Sequence, residues 1–300
     1  MKSALKAVIA VLLLVAIPEA VLAQAKRTFV SGNGVDSGSC SISAPCRSFA
    51  YAVTQTAADG ELVVKDGAGY GPVTITQSIT IANDGVGTAS ISVPANGTGV
   101  LVNAASTDSV HLRGIEIDGN GVGRYGIVVN AGSMDLVNCV SRHSTDAGII
   151  VSGYSQVGIV NSIVTNNGTA NPIGGVGVSV GGSGSVVTID NSVIDHNAYA
   201  GLYVVSGKVA VSRSSMSFNE YGLSNENSGA TTIVRDSRVA SNSTGVHNTA
   251  GNTLLSHTMV FNNGIMGLQQ TGGQLVSYGD NAINFNGTDQ AGTITKYSTE

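Results

Sequence analysis

The stretch VVTIDNSVIDHNAYAGLYV, residues Val186 to Val204, contains three short apolar segments separated by polar turns. Apolar and polar residues alternate in the first segment, as Val187 and Ile189 show, and this two-residue period indicates a half-buried β-strand. Asn197 and Gly201 stand at the breaks between segments, where turn residues are expected. Because such short strands cannot bury an apolar face alone, the stretch must stack against segments like itself.

The chain supplies those segments, because the pattern recurs about every 22 residues. A glycine followed by an apolar residue marks each repeat: Gly99, Gly126, Gly148, Gly177, Gly201, Gly222, Gly245 and Gly267. The second strands align on Ile194, Met216, Val239, Val260 and Ile283. Coils stacked at about 4.8 Å would pair each strand with its counterpart in the next coil. The repeat therefore predicts a parallel β-solenoid of roughly 8 to 10 coils.

Two columns of residues define the turns of this solenoid. Asparagines recur at one turn: Asn167, Asn197, Asn219, Asn242, Asn263 and Asn286. Asn tolerates left-handed backbone angles, and stacked amides can hydrogen-bond from coil to coil, so a structural Asn ladder is expected. A column of small residues runs beside the asparagines: Cys139, Ser162, Ser192, Ser214, Ser237 and Thr258. This column places Cys139 inside the stack as a buried structural thiol.

Both ends of the chain differ from the repeats. Residues 1–25 have the basic start, apolar centre and small-residue end of a signal peptide, with cleavage after Ala23 or Ala25. Residues 26–60 are expected to form an N-terminal cap, with a Cys40–Cys46 disulfide and a short amphipathic helix, and residues 61–286 the solenoid. The polar segment 287–300 is expected to close the other end. The expected location is the periplasm or the cell exterior.

Composition limits the partners. The 300-residue chain has a formal net charge of −5 and only 11% charged residues, which gives no electrostatic footprint for nucleic acid or anionic lipid. Nothing after residue 25 is apolar enough to span a membrane, no His or Cys pair has metal-ligand spacing, and no cofactor is expected. Monomer is the simplest oligomeric state.

The repeat V-x-I-x-N-S-x-V-x-x-N-x-x-G-I-x-V, over about residues 99 to 287, resembles the right-handed parallel β-helix proteins of the pectate-lyase-like superfamily. The resemblance implies an all-β, right-handed parallel β-helix with one short capping helix. It also implies that lyases, hydrolases, epimerases and adhesins are all possible functions. The polygalacturonase motifs Asn-Thr-Asp, Asp-Asp, Gly-His-Gly and Arg-x-Lys do not occur in the sequence, nor does the Asp-Pro-His of alginate epimerases.

One charged constellation is a candidate catalytic site: Asp118, Arg124, Tyr125, Arg142, His143 and Asp146. Asp118 and Arg142 are 24 residues apart, and Arg124 and Asp146 are 22 apart, so each acid can lie one coil from a base. The spacing fits stacked ion pairs at a turn edge, and it also fits a sugar-acid or catalytic site with Arg or His as base. We expect the ion pairs.

Three functions follow from this sequence. A non-catalytic binding or surface-interaction module, with polysaccharide or a cell-surface glycan as partner, is the first. The alternative is a lyase, hydrolase or epimerase acting on uronic-acid polymers, and a structural envelope protein is the third. An exposed apolar strip of Tyr203, Ile233, Leu254 and Val276 is a further candidate contact surface.

Overall fold

Three parallel β-sheets run along the axis of the molecule, and each coil of the chain adds one strand to each sheet. The computed structural model describes residues 24–168 and 174–297. Ten strands are stacked in the second-strand sheet, so the solenoid has about ten coils. The predicted right-handed parallel β-helix is confirmed.

Tyr125–Val137 is a long strand that turns from the third-strand sheet into the first-strand sheet. The other strands of the first-strand sheet are Ala25–Val30, Thr56–Val64, Ile79–Ala82, Ser109–Arg113, Ser155–Val160, Val186–Asp190, Gly207–Ser212, Ala230–Arg235, Asn252–Ser256, Gln274–Tyr278 and Ile294–Tyr297. The second-strand sheet comprises Ala68–Gly69, Ala89–Ser92, Ile115–Asp118, Val140–Arg142, Ile163–Thr165, Val193–Asp195, Ser215–Ser217, Arg238–Ala240, Met259–Phe261 and Ala282–Asn284. The third-strand sheet comprises Val73–Ile75, Thr98–Asn103, Ala147–Val151, Val176–Val180, Ala200–Val204, Tyr221–Asn225, Thr244–Asn248, Met266–Gln270 and Thr288–Ala291, with the start of Tyr125–Val137.

The register between coils follows the sequence repeat. The five second-strand residues named from the repeat, from Ile194 to Ile283, pair in parallel one above another. Inward residues of all three sheets form one continuous apolar core, to which Val187, Ile194 and Leu202 contribute the interior of one coil. Apart from the first and last strand of each sheet, every strand is paired on both edges, and this pairing together with the buried face stabilises strands this short.

A ladder of buried asparagine side chains follows the turn between the second and third strands. The Oδ1 atom of Asn219 accepts hydrogen bonds from the backbone N–H and the Nδ2 atom of Asn197, at 2.9 and 3.1 Å. Asn219 in turn donates from its own N and Nδ2 atoms to Oδ1 of Asn242 at 2.9 and 3.2 Å. The same double contact joins Asn167 to Asn197, Asn242 to Asn263, and Asn263 to Asn286.

The left-handed backbone conformation lies one residue earlier than the sequence suggested. At this turn the residues with φ near +50° directly precede the ladder asparagines: Asn166, His196, Phe218, Ser241, Asn262 and Phe285. His143 has the same conformation before Ser144, whose backbone N–H donates to Oδ1 of Asn167. The ladder residues need an ordinary conformation, because their amide must point inward to reach the next coil. The preceding residue makes the sharp bend and therefore points outward.

The column of small residues is a second ladder. The backbone N–H of Cys139 donates to Oγ of Ser162 at 3.1 Å, and Ser162 does the same to Ser192. Ser192 and Ser214 continue the series. Cys139 is buried, and burial raises the pKa of its thiol to about 11, so it stays protonated and unreactive at neutral pH.

The N-terminal end is covered by a short helix and a disulfide loop. The helix Phe49–Gln55 begins after Ser48, whose side chain accepts a hydrogen bond from the backbone N–H of Tyr51. Its buried residues are Phe49, Ala52 and Val53, and the Phe49 ring packs on Tyr70 at 4.9 Å between centroids. The predicted disulfide is confirmed, with Cα atoms of Cys40 and Cys46 4.9 Å apart.

Removal of this disulfide is expected to lower the free energy of unfolding by about 2 kcal/mol, because the bond closes a loop of only a few residues. The test is urea unfolding of a Cys40→Ser/Cys46→Ser variant. Wild-type protein under a reducing agent is the matched control, because it loses the same bond without a substitution. A double variant as stable as oxidised wild type would contradict this expectation.

The stack extends beyond the predicted range of residues 61–286 at both ends. Ala25–Val30 already pairs in parallel with Thr56–Val64 inside the predicted cap. At the other end Ile294–Tyr297 pairs with Gln274–Tyr278, so residues 287–297 end the stack as a further, more polar coil. The predicted signal peptide lies outside the described residues, apart from its last two positions. Within the described part of the chain, no helix is long and apolar enough to cross a membrane.

Candidate functional site

The six residues of the charged constellation lie on two neighbouring coils and form two groups. In one group the Arg124 Nε atom is 2.6 Å from Oδ2 of Asp146. In the other, the Arg142 Nε atom is 3.0 Å from Oδ2 of Asp118. These are the two contacts between neighbouring coils that the 22- and 24-residue spacings suggest.

Asp118 is the centre of the second group, and its side chain is 16% exposed. Its Oδ1 atom is 3.0 Å from Nδ1 of His143 and accepts a hydrogen bond from the backbone N–H of Asn120 at 2.8 Å. Arg142 also contacts Glu116, a partner that the sequence did not suggest. Burial raises the pKa of Asp118, but the contacts with Asn120, His143 and Arg142 outweigh it and lower the pKa overall. The carboxyl is therefore ionised and paired, which suits a stabilising turn better than proton transfer.

Tyr125 belongs to the first group. The guanidinium of Arg124 lies over its ring, 4.8 Å from the centroid. Burial is the main cause that raises the pKa of the Tyr125 phenol. The Arg124 guanidinium thus contacts both the Tyr125 ring and the Asp146 carboxylate, and both interactions hold the Arg124 side chain in place.

Loss of the His143 imidazole is expected to lower the free energy of unfolding by less than about 1 kcal/mol. The reason is that the His143 side chain, which pairs with Asp118, is 42% exposed to solvent. The clean variant is His143→Asn, since His143 has a φ of 54° and Asn tolerates that conformation. Arg142→Ala is the contrasting variant and should cost more, because it leaves the mostly buried Asp118 without its guanidinium. Urea unfolding of both variants measures the difference. Polysaccharide turnover that disappears with His143→Asn would contradict a structural role.

A second cluster, which the sequence analysis missed, lies on the third-strand sheet. We call it the tyrosine face: Tyr199, Tyr203, Tyr221, Ser224, Glu226 and His247. The ring of Tyr199 is 5.7 Å from that of Tyr203 and 5.4 Å from that of Tyr221, both edge to face. The Tyr221 ring stacks on the imidazole of His247 at 5.0 Å. All four rings are partly exposed.

Parallel pairing brings these side chains together. Tyr203, Ser224 and His247 are register partners in successive coils, so their side chains leave the sheet in one row. Tyr221 begins its strand one coil after Ala200, and Tyr199 precedes Ala200 in the turn. Three of the four rings therefore rest on paired strands and the Tyr199 ring on the adjoining turn, which lowers the entropy cost of binding a ligand.

Hydrogen bonds fix the polar members of the tyrosine face. The buried Ser224 hydroxyl donates to Oε1 of Glu226 and lies 3.3 Å from Nδ1 of His247. The Thr249 hydroxyl donates to the backbone carbonyl of Glu226 at 2.6 Å, and its oxygen lies 3.3 Å from Oε2 of the same residue. The carboxylate of Glu226 is thus held beside the rings by the Ser224 hydroxyl, and its backbone is held by Thr249.

The protonation states of the tyrosine face follow from burial and from its acidic neighbours. Burial, followed by the charge of Glu226, raises the pKa of Tyr199 to about 12. The pKa values of Tyr203 and Tyr221 are also raised, first by burial and then by nearby glutamates. Burial lowers the pKa of His247 despite the opposing charge of Glu226. At neutral pH the face presents three phenol donors and an uncharged imidazole.

The predicted strip of Tyr203, Ile233, Leu254 and Val276 does not form. Ile233, Leu254 and Val276 are register partners in the first-strand sheet, whereas Tyr203 lies in the third-strand sheet. Val276 is moreover buried. The sequence signal that could have found the tyrosine face is the spacing of Tyr203, Ser224 and His247, which follows the repeat.

Comparison with known proteins assigns the class. The family model described as right handed beta helix region matches residues 98–287, and the chain belongs to this family. No curated protein matches it.

Solved structures with the same fold include three proteins at low sequence identity. Pectate lyase Pel9A is 17% identical, with a TM-score of 0.56 over 87% of this chain and 71% of its own. The periplasmic alginate epimerase AlgG is 12% identical, with a TM-score of 0.58 over 79% and 76%. An alginate lyase from Paenibacillus sp. is 15% identical, with a TM-score of 0.57 over 92% and 100%. At these identities the likeness is one of fold.

Proposed function

We propose that this protein is an exported, non-catalytic module that binds polysaccharide along the tyrosine face. The observation that carries the proposal is the series of contacts that links three tyrosine rings and one imidazole, partly exposed along one parallel sheet and its adjoining turn. A tyrosine ring offers an apolar surface for the carbon-bound hydrogens of a sugar and a hydroxyl for its polar groups. Tyrosine has few rotatable bonds, so little freedom is lost on binding.

The shape of the solenoid favours an extended ligand. Register partners repeat at about 4.8 Å along the axis, so the tyrosine face spans roughly 10 to 15 Å over its successive coils. A polymer lying along the axis can contact several coils at once, and each contact raises the effective concentration for the next. The Cys40–Cys46 disulfide is consistent with an oxidising compartment, where such polymers occur.

Binding rather than turnover is favoured by how the acidic groups are used. Asp118 and Asp146 are held by arginines in the charged constellation. The Glu226 carboxylate accepts a hydrogen bond from the Ser224 hydroxyl. A general acid needs a pKa raised towards neutrality, and the pKa of Asp118 is instead lowered.

Tyr203→Ala is expected to weaken polysaccharide binding about ten- to thirtyfold, the usual effect of removing a central aromatic contact. The measurement is affinity electrophoresis against soluble β-glucan, galactomannan, xylan, alginate and polygalacturonate. Tyr154→Ala is the matched control, because Tyr154 is 77% exposed in a turn away from the tyrosine face.

Equal binding by wild type and Tyr203→Ala would contradict the proposal. Release of oligosaccharides from any of these polymers, lost in His247→Ala, would replace it with the alternative of a carbohydrate-active enzyme.

A further inference from the structure

We infer that the tyrosine face selects uncharged polysaccharides and rejects polyuronates. This inference rests on the proposed function and names the chemical class of its ligand. It differs from what the names of the structural neighbours, a pectate lyase and two alginate enzymes, would suggest.

The charge around the tyrosine face is entirely negative. Glu220 and Glu226 flank the rings, one in the turn before the third strand and one directly after it. Four consecutive coils contribute the third strand and its two adjoining turns on this side, and these segments contain no Lys or Arg: residues 198–206, 219–229, 243–251 and 264–273. The imidazole of His247 adds no positive charge, because burial keeps it neutral at pH 7.

The glutamates act on the whole face. The charge of Glu226 contributes to the raised pKa values of Tyr199, Tyr203 and Tyr221, and Glu220 contributes to those of Tyr199 and Tyr221. A sugar carboxylate placed over the rings would be repelled by the same two negative charges. Juxtaposed like charges are a recognised means of rejecting a wrong partner, and they lower affinity without altering the shape of the site.

The basic residues of these coils lie elsewhere. Lys208 and Arg235 are on the first-strand sheet, Arg213 lies at the turn between the first and second strands, and Arg238 begins a strand of the second-strand sheet. Arg213 is paired with Asp190, and Arg238 donates to Oγ of Ser215 at 3.2 Å. Arg213 and Arg238 line an open groove of about 460 Å³ together with Asp236 and His257. This groove is on a different side of the coil from the rings. A uronate polymer on the tyrosine face would find no cation to neutralise it.

The test compares polymers that differ only in charge. A neutral β-glucan and its carboxymethylated form are titrated, by affinity electrophoresis in EDTA at 20 mM salt, into wild type, Tyr203→Ala and Glu220→Gln/Glu226→Gln. Carboxymethylation is expected to weaken Tyr203-dependent binding at least tenfold, and the double Gln variant should recover most of the loss. Gln at position 226 can still accept the Ser224 hydrogen bond, and circular dichroism verifies that the variants fold. The discrimination should shrink at 0.5 M salt, where charges are screened beyond roughly 4 to 5 Å.

The outcomes separate the two proposals. Tyr203-dependent binding of alginate, polygalacturonate or the carboxymethylated glucan as tight as that of the neutral glucan would overturn this inference alone. Discrimination that persists unchanged in the double Gln variant would also overturn it. If no polymer shows Tyr203-dependent binding, the proposed function fails and the inference fails with it.

Discussion

Replacing Asn219 with Ala is expected to lower the free energy of unfolding by about 3–5 kcal/mol, since each buried polar group left without a partner costs about 1–3 kcal/mol. The Asn219 side chain accepts from the N–H and Nδ2 of Asn197 and donates to the carbonyls of Ile194 and Ser217 as well as to Asn242. Its removal leaves the backbone N–H of Asn197 without its partner inside the stack and takes away one of the two acceptors of the Asn197 Nδ2 group.

Urea unfolding followed by circular dichroism measures this loss. Asn227→Ala is the matched control, because Asn227 is exposed in a loop and its backbone carbonyl makes its turn hydrogen bond. The two variants lose the same side chain, so a similar stability for both would contradict a structural role for the ladder.

Gly222→Ala is the second substitution with a large expected effect, a loss of about 2–4 kcal/mol from overpacking and displaced hydrogen bonds. A Cβ atom there would lie 2.5 Å from Cγ1 of Val239, 2.7 Å from the carbonyl oxygen of Gly245 and 2.8 Å from Nδ2 of Asn242. Two of these three atoms belong to backbone or to the Asn ladder, so little can move aside.

The control for this variant is Gly229→Ala, where the nearest atom to the new Cβ would be Cβ of Ser206 at 3.8 Å. That substitution should be neutral or slightly stabilising, because Ala restricts the unfolded chain. Unfolding midpoints of the two variants should therefore differ widely. Equal midpoints would show that the coils can separate locally at Gly222 without cost.

The glycine that marks each repeat in the sequence is thus explained by the ladder beside it. Gly201 and Gly222 have their would-be Cβ positions against an Asn Nδ2 atom and a glycine carbonyl of the next coil. The repeat period was readable from the sequence because the glycine column and the asparagine column touch each other in every coil. Both columns therefore recur with the same spacing. Register, core positions and the ladder partners all follow from that period.

Other features could not be read from the period. The left-handed residue was assigned to the asparagine because Asn often adopts that conformation, yet the ladder needs the amide pointing inward and moves the bend to His196 or Phe218. The tyrosine face was missed because Tyr199 precedes Ala200, which is the register partner of Tyr221. An alignment of the repeats therefore places Tyr199 and Tyr221 in different columns. Only the path of the turn brings their ring centroids to within 5.4 Å.

The candidate site is therefore harder to predict from the sequence than the fold is. Contacts along a column, such as Arg142 with Asp118, are visible as sequence offsets. Contacts across columns depend on how far each side chain projects from the turn. The charge of the tyrosine face, in contrast, could be read from the sequence once the face was located, because four coils contribute no Lys or Arg to that side.

One measurement tests the central claim most directly: the NMR spectrum of protein labelled with ¹³C at its 9 tyrosines, titrated with a neutral oligosaccharide and assigned with Tyr→Phe variants. Binding at the tyrosine face predicts shifts of the Tyr199, Tyr203 and Tyr221 ring signals, with Tyr125 and Tyr154 unchanged. Shifts centred on Tyr125, beside the charged constellation, or binding that leaves Tyr199, Tyr203 and Tyr221 unmoved, would contradict the account.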